Sequence, residues 1–231
     1  MPPLQVDPSL TTFHAAFPGT PGEASWRLKS NGLLVQGDDA PIGTGGQPIT
    51  VGKVWTTWKD QISQAAAEFD VPIEVIIATI CTESSGNPNA RREEPGYVSD
   101  EATPDKVSVG LMQTLISTAR SMGANLGVPP ATIDDPWLRV GLNSIRAGTA
   151  YMRSQRGQTH FDPPKAACAY NAGSLRLNTS AGNRWKMVQF PIGTSAHADR
   201  WVMWFNDCFR VFQTPAGLPD PSYVKALVGV P

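Results

Sequence analysis

The stretch PIEVIIATICTESSGNP, residues 72–88, decides the fold of this chain. Nearly every position from Pro72 to Thr82 is apolar or small, which is the pattern of a helix buried on all sides. Asp70 is the expected N-cap, and the proline suits a first helical turn. Gly86 and the Asn-Pro pair after it end the helix. The pattern predicts a central helix with the rest of the chain packed around it.

One carboxylate, Glu83, stands at the C-terminal end of this apolar run. A helix C-terminus carries partial negative charge, and burial penalises the ionised form of a carboxyl group, so both effects raise the pKa of Glu83. A carboxylic acid that stays protonated near neutral pH is what a glycosidase uses to protonate its leaving oxygen. Glu83 is therefore the candidate general acid, although glutamates at helix ends are more commonly solvated.

Two further motifs follow Glu83 along the chain. Residues 110–113 read Gly-Leu-Met-Gln, and residues 169–173 read Ala-Tyr-Asn-Ala-Gly. Together with Glu-Ser at 83–84 and Asn-Pro at 87–88, this ordered set resembles the soluble lytic transglycosylase (SLT) family over roughly residues 55–212. The resemblance implies a mainly α, lysozyme-like helical domain of the goose type.

The resemblance also implies a reaction on peptidoglycan. Glu83 would donate a proton to the oxygen of the β-1,4 bond between N-acetylmuramic acid (MurNAc) and N-acetylglucosamine (GlcNAc). The resulting carboxylate would then take the proton of the muramyl C6 hydroxyl, which closes onto C1 and gives 1,6-anhydroMurNAc. Glycosidases usually use two carboxyl groups, whereas the motifs supply only one. Substrate-assisted mechanisms, in which a group of the sugar replaces the second carboxylate, are the recognised exception.

Roles for the other motif residues follow from the same resemblance. Tyr170 would be the second catalytic residue, with its hydroxyl holding or tuning the carboxyl group. Gln113 would bind the acetamido group or the sugar hydroxyls, and Asn171 would fix the loop that presents the tyrosine. Ser84 would face the same site and Met112 would pack beside the cleft. Three of these residues also have a purely structural interpretation. In that interpretation Met112 belongs to the core, Ser84 caps the end of the helix and Asn171 stabilises a turn.

Two rival functions remain open. A lysozyme-like muramidase would hydrolyse the same bond and would need a second acid, for which the polar loop 89–109 offers Glu93, Glu94, Asp100 and Glu101. A rival of another class is a non-catalytic wall-binding or virion structural module that keeps the fold. The charged side chains of the loop are either solvated or line the cleft.

Composition narrows the expected partners. The chain has 231 residues, 41% of them hydrophobic, which is enough for one sizeable core. A net charge of −1 without a run of basic residues gives no reason to expect nucleic acid. Because no apolar run reaches about 18 residues, we expect no transmembrane helix and no membrane partner. We expect a monomer acting on peptidoglycan glycan strands.

The cysteines and histidines predict neither a disulfide framework nor a metal site. The three cysteines, Cys81, Cys168 and Cys208, fall in predicted helices among apolar neighbours. The three histidines are scattered at no metal-ligand spacing, so no metal and no cofactor is expected. Around His197 the string His-Ala-Asp-Arg-Trp-Val aligns only loosely with a Glu-Thr-Arg-x-Tyr-Val pattern of the family, and no role is carried onto it.

The N-terminal residues bear on how the protein would reach the bacterial wall. They show neither a basic region nor a continuous apolar region, so a Sec signal peptide is not expected. The expected setting is synthesis in the cytoplasm and action on the bacterial wall after release, as in a bacteriophage endolysin, a virion-associated enzyme or a secreted effector.

Three segments are predicted along the chain. Residues 1–50 form an extended arm with a β-hairpin, in which Trp26–Lys29 and Leu33–Gln36 flank a Ser-Asn-Gly turn. Residues 51–213 form the catalytic domain, and residues 214–231 form a tail without periodicity. Within the domain, apolar spacing predicts helices from residue 51 to 69 and at 72–82, 114–125, 135–155, 165–171 and 198–212.

Overall fold

The structure is a computed structural model that describes residues 4–228, so the extreme ends of the predicted arm and tail lie outside the described residues. The described part is mainly helical. Its α-helices are α1 Ile49–Phe69, α2 Ile73–Glu83, α3 Ile116–Ser121, α4 Gly123–Leu126, α5 Asp135–Arg139, α6 Gly141–Ser154, α7 Arg156–Thr159, α8 Pro163–Ala172, α9 Ala196–Val211 and α10 Tyr223–Ala226. Its strands are β1 Trp26–Lys29, β2 Gly32–Val35, β3 Arg91–Glu93, β4 Val107–Val109 and β5 Thr114–Leu115.

Helix α2 is the centre of the fold, as the apolar run predicts. Every residue from Ile73 to Cys81 is buried, and α1 and α9 pack against the helix. The predicted cap is wrong, however. Asp70 ends α1 as its C-cap in the left-handed conformation, with φ 53°, and Pro72 occupies the N-cap position of α2. Only Val71 separates the last cap of α1 from the first cap of α2. The left-handed conformation of Asp70 turns the chain between the two helices, and its side chain does not cap α2.

The N-terminal hairpin is confirmed. Strand β1 pairs antiparallel with β2, and Lys29 stands opposite Gly32, so the chain reverses at Ser30 and Asn31. The hairpin packs onto the helical body through Trp26, which is fully buried and donates from Nε1 to Oδ1 of Asp162 at 2.7 Å. The division of the chain at residues 50 and 213 stays a prediction.

The polar loop 89–109 contains strands that the sequence analysis did not predict. Strand β3 pairs with β4, and β4 pairs with β5, so part of the loop forms a three-stranded antiparallel sheet. In the register, Arg91 stands opposite Val109 and Glu93 opposite Val107. The charged strand β3 has low intrinsic strand preference, and pairing with the buried strand β4 decides its conformation.

Two predicted helices are interrupted. The segment 114–125 begins as strand β5 and continues as α3 and α4. The segment 135–155 breaks at Val140, and its N-cap is Asp134 rather than Asp135. Gly141 opens α6 at a point where a Cβ atom would lie 2.2 Å from Cζ3 of Trp58. The glycine therefore lets the indole of Trp58, on α1, lie against the backbone at the start of α6.

The C-terminal segment, predicted as a tail without periodicity, packs on the helical body in its described part. Residues 223–226 form α10, and Tyr223 is buried. The buried carboxylate of Glu74 accepts hydrogen bonds from Ser222 Oγ at 2.6 Å and from the backbone N–H groups of Tyr223 and Val224 at 2.9 and 3.1 Å. Burial raises the pKa of Glu74, and these donors counter part of the rise. A buried carboxylate of the central helix thus anchors the C-terminal segment.

The three cysteines are buried free thiols in α2, α8 and α9, as predicted. None of the helices in residues 4–228 is both long and apolar enough to cross a membrane. Among the same residues, no group of three or more His, Cys, Asp or Glu side chains is arranged to hold a metal ion.

Candidate active site

A cavity of about 680 Å³ opens at the C-terminal end of α2. Its walls come from the ends of α2 and α8, from the three-stranded sheet with the turn before β5, and from α9. The side chains that line it include Glu83, Arg92, Gln113, Tyr170, Asn171 and Arg200. The three motifs identified in the sequence therefore meet at one concave surface.

Glu83 is the last residue of α2, and its side chain is 19% exposed at the cavity wall. Burial raises the pKa of Glu83 to about 7, while the positive charges of Arg200 and Arg92 limit the rise. Near neutral pH the carboxyl group is therefore close to half protonated. A group in this state is able to donate a proton and to take one back.

Tyr170 lines the same cavity from α8, but its hydroxyl is engaged elsewhere. The O–H donates to the backbone carbonyl of Met112 at 2.8 Å and lies 3.1 Å from Thr114 Oγ1. Burial raises the pKa of Tyr170 well above its usual range, so the phenol stays neutral. Since a hydroxyl has one proton, Tyr170 does not donate to Glu83 in this conformation, and the catalytic role that the resemblance implied stays a prediction.

Gln113 lines the cavity in the left-handed backbone region, with φ 47°. Its Nε2 donates to the carbonyl groups of Ala90 and Gly110 at 2.9 and 3.0 Å, and its Oε1 accepts from Ser108 Oγ at 3.1 Å. Both amide protons are thus used to hold the turn before β5. One lone pair of Oε1 is left to accept a hydrogen bond from a sugar hydroxyl or an acetamido N–H.

Ser84 and Met112 do not line the cavity. Ser84 Oγ donates to the backbone carbonyl of Leu111 at 2.7 Å, which ties the end of α2 to the Gly-Leu-Met-Gln turn. Met112 is fully buried against α6, where a Cβ atom on Gly148 would lie 2.6 Å from its Sδ. Both side chains support the cavity wall from behind, which fits the structural alternatives of core packing for Met112 and of a helix-end contact for Ser84, and their binding of substrate stays a prediction.

Asn171 lines the cavity and fixes a neighbouring segment. Its Oδ1 accepts a hydrogen bond of 2.6 Å from the backbone N–H of Phe190. The Phe190 ring lines the same cavity and is 53% exposed. Asn171 therefore bonds a partner 19 residues further along the chain rather than its own turn, and its expected role in presenting Tyr170 stays a prediction.

The sheet places alternate side chains of β3 and the residue after it on different sides. Arg92 and Glu94 line the cavity, whereas Arg91, Glu93 and Tyr97 do not. Successive residues of a strand point to opposite faces, which explains the alternation. Of the four acids considered for a hydrolytic reaction, only Glu94 therefore belongs to the cavity in the described structure.

Arg91 holds the far side of the sheet. Its guanidinium contacts Asp100 Oδ1 at 2.9 Å, Asp135 Oδ2 at 2.5 Å and the Tyr97 hydroxyl at 2.8 Å. These carboxylates raise the pKa of Arg91, while the guanidinium lowers the pKa of Asp100. The network joins β3 to the following loop and to α5, so it sets the position of the wall that carries Arg92.

Several cavity residues were not predicted from the sequence. They are Lys106, Thr114, Tyr151, Phe190 and Arg200. The loosely matched string 197–202 is the one signal that pointed to Arg200. The others come from segments whose place at the cavity depends on the sheet and on the contact between Asn171 and Phe190.

His197 lies on α9 next to Glu83 without lining the cavity. Its Nε2 is 3.8 Å from Glu83 Oε1. The imidazole is buried, and burial together with the positive charge of Arg200 lowers the pKa of His197 to about 4. The ring is therefore neutral over the range in which Glu83 titrates.

This fold and cavity define the class of a lysozyme-like helical domain with a largely buried carboxyl group, that of Glu83, at the wall of a cavity. The profile of the transglycosylase SLT domain matches residues 60–187, and the chain belongs to that family. The matched region includes Glu83 and both later motifs, whereas His197 and Arg200 lie beyond it.

The solved structures that are similar to this chain include two lytic transglycosylases. One is the lytic transglycosylase Slt of Pseudomonas aeruginosa, in an inactive mutant form, with 19% identity, a TM-score of 0.49, and coverage of 71% of this chain and 25% of that chain. The other is the 70 kDa soluble lytic transglycosylase SLT70 of Escherichia coli, with 18% identity, a TM-score of 0.43, and coverage of 72% and 27%. The chain therefore spans about a quarter of the length of these proteins.

Proposed function

We propose that this chain is a peptidoglycan lytic transglycosylase that cleaves the MurNAc–GlcNAc β-1,4 bond with Glu83 as its acid and base. The observation that carries the proposal is the state of Glu83, at the wall of a cavity and with its pKa raised to about 7 by burial. The family to which the chain belongs supports the choice of reaction.

The first step needs a protonated carboxyl group. At a pKa of about 7, a large fraction of Glu83 carries its proton at neutral pH, and that proton passes to the glycosidic oxygen as the bond to C1 breaks. The electrons of the bond leave with the oxygen, and the positive charge that develops at C1 is stabilised from within the sugar by its N-acetyl group.

The second step needs the same group as a base. The carboxylate formed in the first step takes the proton of the muramyl C6 hydroxyl, and the C6 oxygen bonds to C1. The product is 1,6-anhydroMurNAc, no water is consumed, and Glu83 ends protonated as it began. A pKa near neutrality serves both steps, since a stronger acid would be a poor base and a weaker acid a poor donor.

The hydrolytic alternative has one specific observation in its favour. Glu94 lines the cavity, pairs with Arg92 through an N···O contact of 3.0 Å, and is therefore a carboxylate within the site. In a muramidase it would activate a water molecule. The contact with Arg92 favours a substrate-binding or wall-forming role instead, because the carboxylate already has the guanidinium as its partner.

Mass analysis of the products from purified peptidoglycan tests the proposal. Wild-type protein is expected to release muropeptides that are one water lighter than those from a hydrolase. Glu83→Gln is expected to lose this activity by about 100-fold or more, because the amide has no proton of suitable acidity. Glu94→Gln is the matched control, since it removes a second carboxylate from the same cavity and is expected to leave the anhydro product unchanged.

Other results would support the rivals. Products with the mass of hydrolysis, lost on Glu94→Gln, would establish the muramidase. Binding to peptidoglycan without any cleavage would establish the non-catalytic module. A bacteriophage or other release-dependent setting stays a prediction from the sequence.

A further inference from the structure

The side chain of His197, on α9, lies beside Glu83 and has no role in the reaction described so far. His197 Nε2 is buried and, among the described residues, has no hydrogen-bond partner. A buried polar group without a partner loses its hydration and gains nothing in return, so such groups in folded proteins call for an explanation. The carboxylate oxygen Glu83 Oε1 lies 3.8 Å away.

A small movement converts this distance into a hydrogen bond. N–H···O bonds are usually about 2.9 Å long, so a side-chain rotation that moves either group by about 1 Å is sufficient. Helices α2 and α9 pack directly on each other and bring the two residues together from positions far apart in the chain. Glu83 sits at the end of its helix with its carboxyl group at a cavity, where such a rotation has room.

We propose that His197 is a positioning residue for the reaction, whose neutral imidazole donates a hydrogen bond from Nε2–H to Oε1 of Glu83. The catalytic consequence rests on the function proposed above for Glu83, whereas the contact itself does not. The sequence by itself indicates no role for this histidine.

The chemistry of Glu83 selects this tautomer. With the proton on Nε2, the contact points the unprotonated Oε1 at the histidine and leaves the acidic proton on Oε2 free for the glycosidic oxygen. After the first step the same N–H stabilises the carboxylate. A bare Nε2 would instead accept a hydrogen bond from the acidic proton, which would hold that proton away from the glycosidic oxygen, and after the first step it would face a lone pair of the carboxylate. Only the Nε2–H form serves both steps.

The charges around the pair support a neutral imidazole. Arg200 lies on the same helix three residues further on and lowers the pKa of His197, which burial lowers as well. Arg92 and Arg200 act on Glu83. The other charged residues that line the cavity are Glu94, Asp105 and Lys106. The ring therefore remains a hydrogen-bond donor and does not become a second acid near neutral pH.

Two variants separate the hydrogen bond from the packing of the ring. His197→Gln keeps an N–H donor near the position of Nε2 and carries no charge, whereas His197→Leu keeps the volume and removes the donor. The readout is the pH titration of the Glu83 carboxyl carbon by NMR in labelled protein, with the signal identified by its absence from Glu83→Gln.

With the donor lost in His197→Leu, the Glu83 titration is expected to move to higher pH by about 1 pH unit, since a hydrogen bond to a charged group is worth that much or more. His197→Gln is expected to titrate close to wild type. On peptidoglycan, the leucine variant is expected to lose kcat by about ten-fold with KM within about two-fold, and the glutamine variant to recover most of the loss.

An unchanged Glu83 titration in folded His197→Leu would overturn the proposal, as would an equal loss of kcat in both variants. If the leucine variant fails to fold, the ring nitrogen chemical shifts of His197 in wild-type protein test the proposal instead. Shifts that show an unprotonated Nε2 would contradict the Nε2–H tautomer and overturn it. These NMR measurements need no substrate, so they stand even if the protein proves to have no transglycosylase activity.

Discussion

The hydroxyl of Tyr170 donates a hydrogen bond of 2.8 Å to the backbone carbonyl of Met112. This bond joins two motifs that are 58 residues apart in the chain. It holds the Gly-Leu-Met-Gln turn against α8, and so keeps Gln113 at the cavity wall. Tyr170 therefore acts on the site through the backbone in this conformation, and not by donating to Glu83.

Replacing Tyr170 by phenylalanine tests this arrangement. The Met112 carbonyl would lose its hydroxyl donor inside the protein, so the free energy of unfolding is expected to fall by about 1–3 kcal/mol. Tyr151→Phe is the matched control, because the Tyr151 hydroxyl reaches the Gly173 carbonyl only at 3.5 Å, and its loss is expected to cost under about 0.5 kcal/mol. Urea unfolding measures both.

Activity distinguishes the indirect role of Tyr170 from a direct one. If its hydroxyl only holds the turn, Tyr170→Phe keeps at least about ten-fold more activity than Glu83→Gln. Equal losses in the two variants would contradict the indirect role.

The pH dependence of kcat/KM is expected to show one ionisation. Burial raises the pKa of Glu83 to about 7, and the first step needs the protonated form. The rate should therefore be level below about pH 7 and fall about ten-fold per pH unit above it. Initial rates on purified peptidoglycan across pH 5–9 measure this. A bell-shaped profile governed by a second carboxylate, and lost on Glu94→Gln, would point to hydrolysis instead.

Glu83 should also lower the stability of the protein at alkaline pH. A pKa raised from 4.5 to about 7 means that the folded protein binds the proton more tightly than the unfolded chain. Unfolding free energy is therefore lost as pH rises from about 4.5 to 7, by up to about 3 kcal/mol above that range. Glu83→Gln is expected to match wild type near pH 4 and to be more stable at pH 8.

Thermal unfolding at the two pH values measures this difference. Glu94→Gln serves as the comparison, because it removes a carboxylate from the same cavity without the burial of Glu83. A stability gain at pH 8 shared by both variants would show that general charge reduction, and not burial of Glu83, is responsible.

Arg91 is expected to be the main support of the sheet at the cavity. Its side chain is 23% exposed and bridges Asp100 and Asp135, so Arg91→Met is expected to cost about 1–2 kcal/mol in urea unfolding. Because Arg92 follows it in the same strand, KM for peptidoglycan is expected to rise more than kcat falls.

The matched control for that substitution is Arg153→Met. Its ion pair with Asp70 is exposed on both sides, at 40% and 43%, and is expected to contribute under about 0.5 kcal/mol. Equal destabilisation by the two substitutions would contradict the importance of the Arg91 network.

Much of the fold could be predicted because it is set by local patterns. The apolar run from residue 72 to 82 is too hydrophobic to lie anywhere but inside, and the Ser-Asn-Gly turn between two apolar segments closes a hairpin. The same run places Glu83 at its end. The motif that contains Tyr170 and Asn171 likewise predicts that both reach the site, and both line the cavity.

The features that local patterns did not predict depend on partners far away in the chain. Strand β3 exists because β4 pairs with it, and α10 is anchored by Glu74, which lies 148 residues before Ser222. The positions of Met112 and Ser84 behind the cavity wall likewise depend on distant partners, because Met112 packs on Gly148 of α6 and Ser84 donates to the carbonyl of Leu111.

By itself, then, the sequence determined a buried helix that ends in a carboxyl group and the motifs that gather beside it, because hydrophobic period and turn chemistry act over a few residues. Only the tertiary structure decided what surrounds that carboxyl group. The packing of α9 on α2 brings His197 within 3.8 Å of Glu83, and the sheet sets Arg92 at the cavity wall. Burial and charge at a site depend on which distant segments meet there, and no local pattern encodes that.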